Sequence, residues 1–170
     1  MEPLEIERKY IIYMPDTAAL DAMPGEKWDV MQVYLTGTPE QGSRRVRRIR
    51  EQGAERWYYS EKVRLSATTR IEREREISPQ EAAELLKEAD GEKRPIVKTR
   101  WRIPHEGKTV EIDVFPFWER QAFCEVELER EDEVFSLPGW VKVFREVSGD
   151  NRYNNNSLAR FVPEEEVPYA

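Results

Sequence analysis

The chain has 170 residues, of which 36% are charged and 39% hydrophobic, and its net charge is −7. This length predicts a single domain over residues 1–170, the hydrophobic content excludes disorder, and the lone cysteine, Cys124, excludes an intrachain disulfide framework. The acidic balance argues against nucleic-acid binding, and the absence of a leader or of about 18 consecutive apolar residues predicts a cytoplasmic protein without membrane contact.

Eight segments carry strand signals, because each is rich in β-branched or aromatic residues or alternates between polar and apolar residues. In chain order they are residues 4–12, 28–37, 43–51, 55–65, 69–77, 96–103, 108–115 and 122–130. Gly, Pro, Asn or Asp punctuates several of the gaps between them. An antiparallel sheet of about eight strands permits closure into a barrel.

Helix signals are fewer and lie between or after the strands. The clearest helix is predicted over residues 78–90, with Ser78 as N-cap, Pro79 in the first turn and Glu81 placed for a capping box. Shorter helices are predicted over residues 15–23 and 154–162, and residues 138–150 fit either a helix or a strand. The prediction is therefore one α+β domain dominated by an antiparallel sheet.

The first strand separates charge from apolar residues in an unusual way. Glu5, Glu7 and Lys9 share one face, and successive residues on that face lie about 6–7 Å apart. A solvated face would explain this pattern, and so would a site for a metal ion and phosphate.

Aligned charges recur on the later strands, often with an apolar opposite face. The same-face groups are Arg45 and Arg47; Lys62 and Arg64; Arg70, Glu72, Glu74 and Glu76; Lys98 and Arg100; Glu111 and Asp113; and Glu125, Glu127 and Glu129. A sandwich with solvated charges and a barrel with a charged interior both satisfy this pattern. The recurrence of both signs in short same-sign blocks favours the charged interior.

A tunnel lined in this way suits a polyphosphate ligand. Carboxylates bind hard cations such as Mg²⁺ or Mn²⁺, and Arg and Lys side chains bind phosphate oxygens. A divalent ion that bridges a polyphosphate to acidic side chains is a recurring arrangement for phosphoryl transfer.

The order of these elements resembles the CYTH domains, the triphosphate tunnel metalloenzymes, from about residue 4 to residue 160. The elements that carry the resemblance are Glu5-x-Glu7-x-Lys9, Arg45-x-Arg47 followed by Lys62, Arg70-x-Glu72-x-Glu74, Lys98-Thr99-Arg100, Glu111-Ile112-Asp113, Glu125-Val126-Glu127 and the ending RYNNNSLA. The resemblance implies an eight-stranded antiparallel β-barrel with a charged interior, a few flanking helices, and a divalent metal ion.

The resemblance also implies roles for individual residues. The implied metal ligands for Mg²⁺ or Mn²⁺ are Glu5, Glu7, Glu125 and Glu127, followed by Glu74 and Asp113. The implied phosphate ligands are Lys9, Arg45, Arg47, Lys62, Lys98 and Arg100, and among them Lys98 and Lys9 are the candidates for a catalytic role. Asn154 stands where the family element has Lys, and Arg152 is the neighbouring residue that could supply the missing charge.

The expected function is metal-dependent hydrolysis of a small triphosphate. Inorganic triphosphate is favoured because the sequence shows no obvious element for recognising a base. The alternatives are an adenylyl cyclase that makes cyclic AMP from ATP, a thiamine triphosphatase, and a catalytically silent binder of polyphosphate or nucleotide. The sequence leaves the oligomeric state open.

Three remaining features are interpreted as structural. His105 is expected in a surface turn, and Cys124 is expected as a small buried hydrophobe on the apolar face of its strand. The acidic side chains of Glu164–Glu166, near the C-terminus, are expected to be solvated.

Overall fold

The strands curl into a closed antiparallel barrel, seen in a computed structural model that describes residues 4–37 and 42–170. The strands are β1 Leu4–Tyr13, β2 Glu26–Leu35, β3 Ser43–Glu51, β4 Ala54–Arg64, β5 Thr69–Ile77, β6 Ile96–His105, β7 Lys108–Val114, β8 Gln121–Glu127 and β9 Val143–Glu146. The helices are α1 Thr17–Asp21, α2 Pro79–Leu86 and α3 Asn155–Arg160.

The sheet order is β5-β4-β3-β2-β6-β7-β8-β1-β9, and a further pairing of β5 with β1 closes the barrel. At this seam Glu5 lies opposite Arg70, while the other edge of β1 pairs with β8 and places Glu7 opposite Glu127. The α+β, eight-stranded barrel predicted from the sequence is therefore confirmed, with one additional short strand.

The eight predicted strands occur in place, with shifted ends. β2 begins and ends two residues earlier than predicted, and β8 ends at Glu127 because the Glu129 amide is turned toward the Glu133 carboxylate, to which it donates at 2.7 Å. The prediction for His105 was wrong, since it is the last residue of β6 and pairs with Lys108 across a two-residue turn. Both turn residues have positive φ, which suits this tight hairpin.

The ambiguous segment 138–150 contains a strand. β9 pairs with the C-terminal half of β1, so that Tyr10 faces Glu146 and Ile12 faces Val143. Since β5 occupies only the N-terminal end of the same edge of β1, β9 completes that edge.

The principal helix is shorter than predicted. α2 begins after Ser78, whose hydroxyl accepts from the Glu81 amide at 3.1 Å, and it ends at Leu86 rather than at residue 90. The Glu81 side chain does not complete the capping box, because it binds Arg75 at 2.6 Å instead. After the helix the chain rejoins the sheet, where the Asp90 amide donates to the Tyr34 carbonyl at 2.9 Å.

The outward strand faces form the apolar cores. One cluster covers β1, β6, β7 and β8 and includes Ile12, Trp101, Ile112 and Cys124, the last of which is fully buried as predicted. A smaller cluster beneath α2 includes Val46 and Ala82. Packing these faces on the outside leaves the charged faces to line the interior.

The inward faces of β1, β6 and β8 pass from charged to apolar residues along the strand. In β1 the series is Glu5, Glu7, Lys9, Ile11; in β8 it is Glu127, Glu125, Phe123; in β6 it is Arg102, Arg100, Lys98, Ile96. The apolar ends, together with Tyr153 and Leu158 of the C-terminal segment, form one buried cluster. This cluster fills one end of the barrel and leaves a charged cavity in the rest.

The C-terminal tail packs on the barrel, so the prediction that all its acidic side chains are solvated was wrong. Glu165 accepts from the backbone amide of Arg120 at 2.5 Å, and Glu166 accepts from both ends of the Arg145 guanidinium at 2.7 Å. Val167 is buried beside them. Within the described part of the chain, none of the helices has the length and apolar character needed to cross a membrane.

Candidate active site

The charged half of the barrel interior is a cavity of about 210 Å³. Among the described residues, its lining contains seven carboxylates, Glu5, Glu7, Glu72, Glu74, Glu111, Glu125 and Glu127, and seven cationic side chains, Lys9, Arg45, Arg47, Lys62, Arg70, Arg100 and Arg102. Trp28 and Asn155 complete the lining. A cavity lined by equal numbers of negative and positive side chains fits a ligand that itself combines a cation with a polyanion.

Three of the carboxylates lie close together. One oxygen from each of Glu7, Glu111 and Glu125 lies within 4.8 Å of the others, and all three residues are buried. The strand register explains the grouping, because Glu111 faces Glu125 across β7 and β8, and Glu125 faces Lys9, two residues from Glu7, across β8 and β1. Buried carboxylate oxygens at this separation fit a hard divalent cation.

Each of these three carboxylates is already paired with a cation. The Arg70 guanidinium donates to Glu7, Arg102 donates to Glu111 at 3.0 Å, and Lys9 lies 3.4 Å from Glu125. Burial raises the pKa of Glu125, but the nearby Lys9 and Arg100 outweigh it and hold that pKa well below its usual range. Glu125 is therefore ionised at neutral pH, as a metal ligand must be.

The opposite wall, formed by β3 and β4, carries three cations. Burial, reinforced by the neighbouring Arg45, lowers the pKa of Arg47 to about 10 and that of Lys62 to about 8. The Arg47 Nε is a buried donor with no partner among the described residues. Cations that are disfavoured by burial and by one another, with a spare donor, fit an anionic ligand.

Each of these three cations also has an acidic neighbour in the cavity. Arg47 contacts Glu74 at 3.0 Å, Arg45 lies 3.7 Å from Glu72, and Lys62 lies 3.4 Å from Glu5. Acidic side chains therefore compensate part of the repulsion. A bound polyanion would have to replace these partners.

Lys98 and Asp113 lie behind the cavity wall. The fully buried Asp113 accepts from Lys98 Nζ at 2.9 Å and from Arg100 Nε and Nη2 at 2.7 and 2.8 Å, and neither Lys98 nor Asp113 is part of the cavity lining. Burial and the adjacent Arg100 lower the pKa of Lys98 to about 7, while Asp113 opposes this shift. Asp113 thus fixes the orientation of Arg100, which does reach the cavity.

Replacing Asp113 with asparagine should destabilise the metal-free protein by about 3 kcal/mol or more, because a buried ion pair loses one partner. The measurement is urea unfolding in the presence of a chelator, with the exposed Asp29→Asn as a matched control. An unchanged or increased stability would contradict the role of Asp113 as the counter-ion of Lys98 and Arg100.

The remaining predicted residues lie at the edge of the cavity or outside it. Glu127 is exposed at the rim, opposite Glu7 in the register of β1 and β8. Arg152 is exposed, pairs with Asp150 at 2.8 Å and does not line the cavity. Asn154, which stands in the place of the family's Lys, caps α3 by accepting from the Ser157 amide at 2.7 Å.

Sequence reasoning did not assign several lining residues to the site: Trp28, Arg70, Glu72, Arg102, Glu111 and Asn155. A signal existed for Glu111, because it shares a strand face with Asp113 and lies nearer the open end. Arg70 and Glu72 likewise share a face with Glu74. The ring of Trp28 lies 4.8 Å from the Arg102 guanidinium. No local sequence pattern marks this tryptophan as a residue of the cavity.

Similar proteins were found by sequence and by structure. A relative described as the inorganic triphosphatase of Acetivibrio thermocellus is 38% identical over 118 residues, which are 68% of this chain and 70% of the relative. The solved structure of the inorganic triphosphatase NE1496 is 28% identical, covers 94% of this chain and 100% of that chain, and has a TM-score of 0.56. The PH1819 protein of Pyrococcus horikoshii, at 22% identity, shares the fold with a TM-score of 0.57 over 75% of this chain and 80% of that chain.

The family assignment follows from the extent of the match. The CYTH domain pattern matches residues 3–161, which include the eight barrel strands, the additional strand β9 and the three helices described above. The chain therefore belongs to the CYTH domain family.

Proposed function

We propose that this protein hydrolyses inorganic triphosphate with the help of a bound Mg²⁺ or Mn²⁺ ion. The observation that carries the proposal is the buried group of carboxylates formed by Glu7, Glu111 and Glu125. The same cavity is also lined by arginine and lysine side chains. Two proteins described as inorganic triphosphatases, at 38% and 28% identity, support the same assignment.

In this proposal the carboxylates bind the metal ion and the cationic side chains bind the phosphate groups. Glu7, Glu111 and Glu125 hold the metal ion, with Glu5, Glu74 and Glu127 close to them along the cavity. When bound, a divalent ion neutralises phosphate charge and polarises the phosphoryl group.

The cationic side chains bind and orient the substrate. Lys9, Arg45, Arg47, Lys62 and Arg100 bind the phosphate oxygens, so that the terminal phosphoryl group is held for in-line attack by water. Lys98 and Asp113 act from behind the wall by positioning Arg100. Arg152, on the outer surface, is left without a proposed contact to the substrate.

The choice of inorganic triphosphate rests on the closed end of the cavity. The apolar cluster that includes Phe115, Phe123 and Tyr153 fills that end of the barrel, and the cavity of about 210 Å³ is lined almost entirely by charged groups. Such a space suits a compact polyanion better than a base or a thiazolium ring.

Product identification tests the proposal. The protein is incubated with Mg²⁺ or Mn²⁺ and, separately, with tripolyphosphate, ATP and thiamine triphosphate. Orthophosphate and diphosphate released from tripolyphosphate in preference to the others would support the proposal. Cyclic AMP from ATP, preferential cleavage of thiamine triphosphate, or tight binding without turnover would replace it with the corresponding alternative.

Tripolyphosphate should raise the melting temperature of the metal-free protein, because it binds the native cavity and not the unfolded chain. At 100 times its Kd the stabilisation is about 2.7 kcal/mol. Arg47→Ala should reduce the shift, whereas Arg50→Ala, on the same strand but exposed and paired with Glu55, should not. A melting temperature that does not respond to tripolyphosphate would contradict phosphate binding in the cavity.

The proposal also covers the domain organisation of the protein, its compartment and its partners. We propose that residues 1–170 act as a single domain in the cytoplasm, with a small triphosphate as partner and without nucleic-acid or membrane contacts. The net charge of −7 is consistent with the absence of nucleic-acid binding.

A further inference from the structure

Among the described residues, Arg70 is the cavity cation that pairs with Glu7 of the proposed metal site. It lies opposite Glu5 at the seam between β5 and β1, and its Nη2 contacts both Glu7 and, at 3.4 Å, Glu5. One guanidinium therefore bridges two neighbouring carboxylates of the proposed metal site. Its Nε is buried and has no hydrogen-bond partner in the described part of the chain.

The other cations next to the proposed metal ligands also have partners outside the metal site, including Lys62, which contacts Glu5 but lies 3.8 Å from Glu72 as well. Lys9 donates to the Tyr153 carbonyl at 2.7 Å, Arg100 is held by Asp113, and Arg102 also binds Glu26 at 3.1 Å. Within residues 4–37 and 42–170, the side chain of Arg70 makes polar contacts with Glu5 and Glu7 alone. Losing those two carboxylates would leave Arg70 free to turn.

Space for such a movement adjoins the cavity. A second cavity of about 130 Å³ is lined by Arg70 together with Arg45, Lys62 and Asn155, all of which also line the main cavity. Arg70 can therefore move away from the carboxylates toward the side chains proposed to bind phosphate, where its unused Nε–H would donate to an oxygen of the bound phosphate.

We propose that Arg70 is an internal counter-ion of the metal site that couples metal binding to triphosphate binding. Without metal, its guanidinium neutralises Glu5 and Glu7. A divalent ion takes over these carboxylates and releases the guanidinium to bind phosphate, so each ligand strengthens the binding of the other. This inference rests on the proposed function, and in it Arg70 competes with the cation for its ligands and binds the anion.

The coupling predicts that replacing Arg70 with a neutral residue strengthens metal binding. Because Arg70 competes with the metal ion for Glu5 and Glu7, Arg70→Gln should bind Mn²⁺ roughly tenfold more tightly than the wild type when no triphosphate is present. The same substitution should reduce, by a similar factor of about ten, the extent to which a triphosphate tightens Mn²⁺ binding, since linkage is reciprocal.

The experiment measures free Mn²⁺ by electron paramagnetic resonance in titrations of chelator-treated protein. Titrations are run with Mn²⁺ alone and with the non-hydrolysable imido analogue of tripolyphosphate. The matched control is Arg64→Gln, because Arg64 pairs with Arg70 in the register of β4 and β5 and lines the second cavity but donates to the Ala67 carbonyl. Arg64→Gln should bind Mn²⁺ alone as the wild type does.

The possible results separate this inference from the proposed function. Equal or weaker Mn²⁺ binding by Arg70→Gln, with normal binding by the wild type, overturns the role of Arg70 and leaves the metal site standing. Failure of the wild type to bind Mn²⁺, with or without the analogue, overturns both. If Arg70→Gln is less stable, a larger rise of its melting temperature with Mn²⁺ than that of the wild type supports the role, and a smaller one contradicts it.

Discussion

Replacing Glu7 with glutamine should abolish nearly all turnover of tripolyphosphate while the barrel stays folded. Glu7 lies within the close group of three carboxylates, and a neutral amide is a far poorer ligand for a hard cation than a carboxylate. Because loss of a direct ligand should exceed the 10–100-fold cost typical of second-shell changes, we expect kcat to fall by at least about a hundredfold. Mn²⁺ binding should weaken in parallel, and chelation should inactivate the wild type.

Two further variants make the result for Glu7 specific. Glu76→Gln, on the inward-facing series of β5 but exposed and outside the cavity lining, should keep wild-type turnover. Glu127→Gln should give an intermediate loss, since Glu127 is exposed at the rim and lies outside the close group. Full activity of Glu7→Gln, or of the wild type in chelator, would end the interpretation as a metalloenzyme.

Lys98→Arg should bind tripolyphosphate with a nearly unchanged KM but lose kcat. Lys98 is fully buried against Asp113, and burial together with Arg100 lowers its pKa to about 7, whereas an arginine stays charged and needs more room. Because Lys98 acts through Asp113 and Arg100 rather than by lining the cavity, we expect the larger guanidinium to misalign Arg100 for turnover. The other cations of the cavity still hold the substrate, which keeps KM nearly unchanged. A loss of about a hundredfold in kcat is within the range of such positioning effects.

The pH profile distinguishes this role from a purely structural one. Lys98 loses its proton as the pH rises through about 7, so the wild-type profile of kcat/KM should contain an inflection there. The inflection should be absent in Lys98→Arg, whose charge is constant, and retained in the control Lys87→Arg, whose side chain is exposed. Wild-type kcat in Lys98→Arg, or an unchanged profile, would contradict the positioning role of Lys98.

Alternation along the strands made most of the barrel predictable. Side chains alternate between the two faces of a strand with a period of two, so the sequence alone shows which side chains share a face. All eight predicted segments contain a strand. The segment 138–150 escaped prediction because a four-residue strand is defined by its pairing with β1 rather than by its own pattern. The tail acids were misjudged for a similar reason, since their partners Arg120 and Arg145 lie on distant elements.

The sequence by itself determined which charges share a strand face, and therefore that one face of the sheet combines carboxylates with arginine and lysine. Only the tertiary structure decided which of them meet. A two-residue step along a strand moves a side chain by about 6–7 Å, so Glu111 reaches the group with Glu7 and Glu125 while Asp113, on the same face, lies behind the wall with Lys98. At the seam between β1 and β5, Arg70 lies opposite Glu5, which is 65 positions away in the sequence. This register depends on closure of the whole barrel rather than on any local pattern.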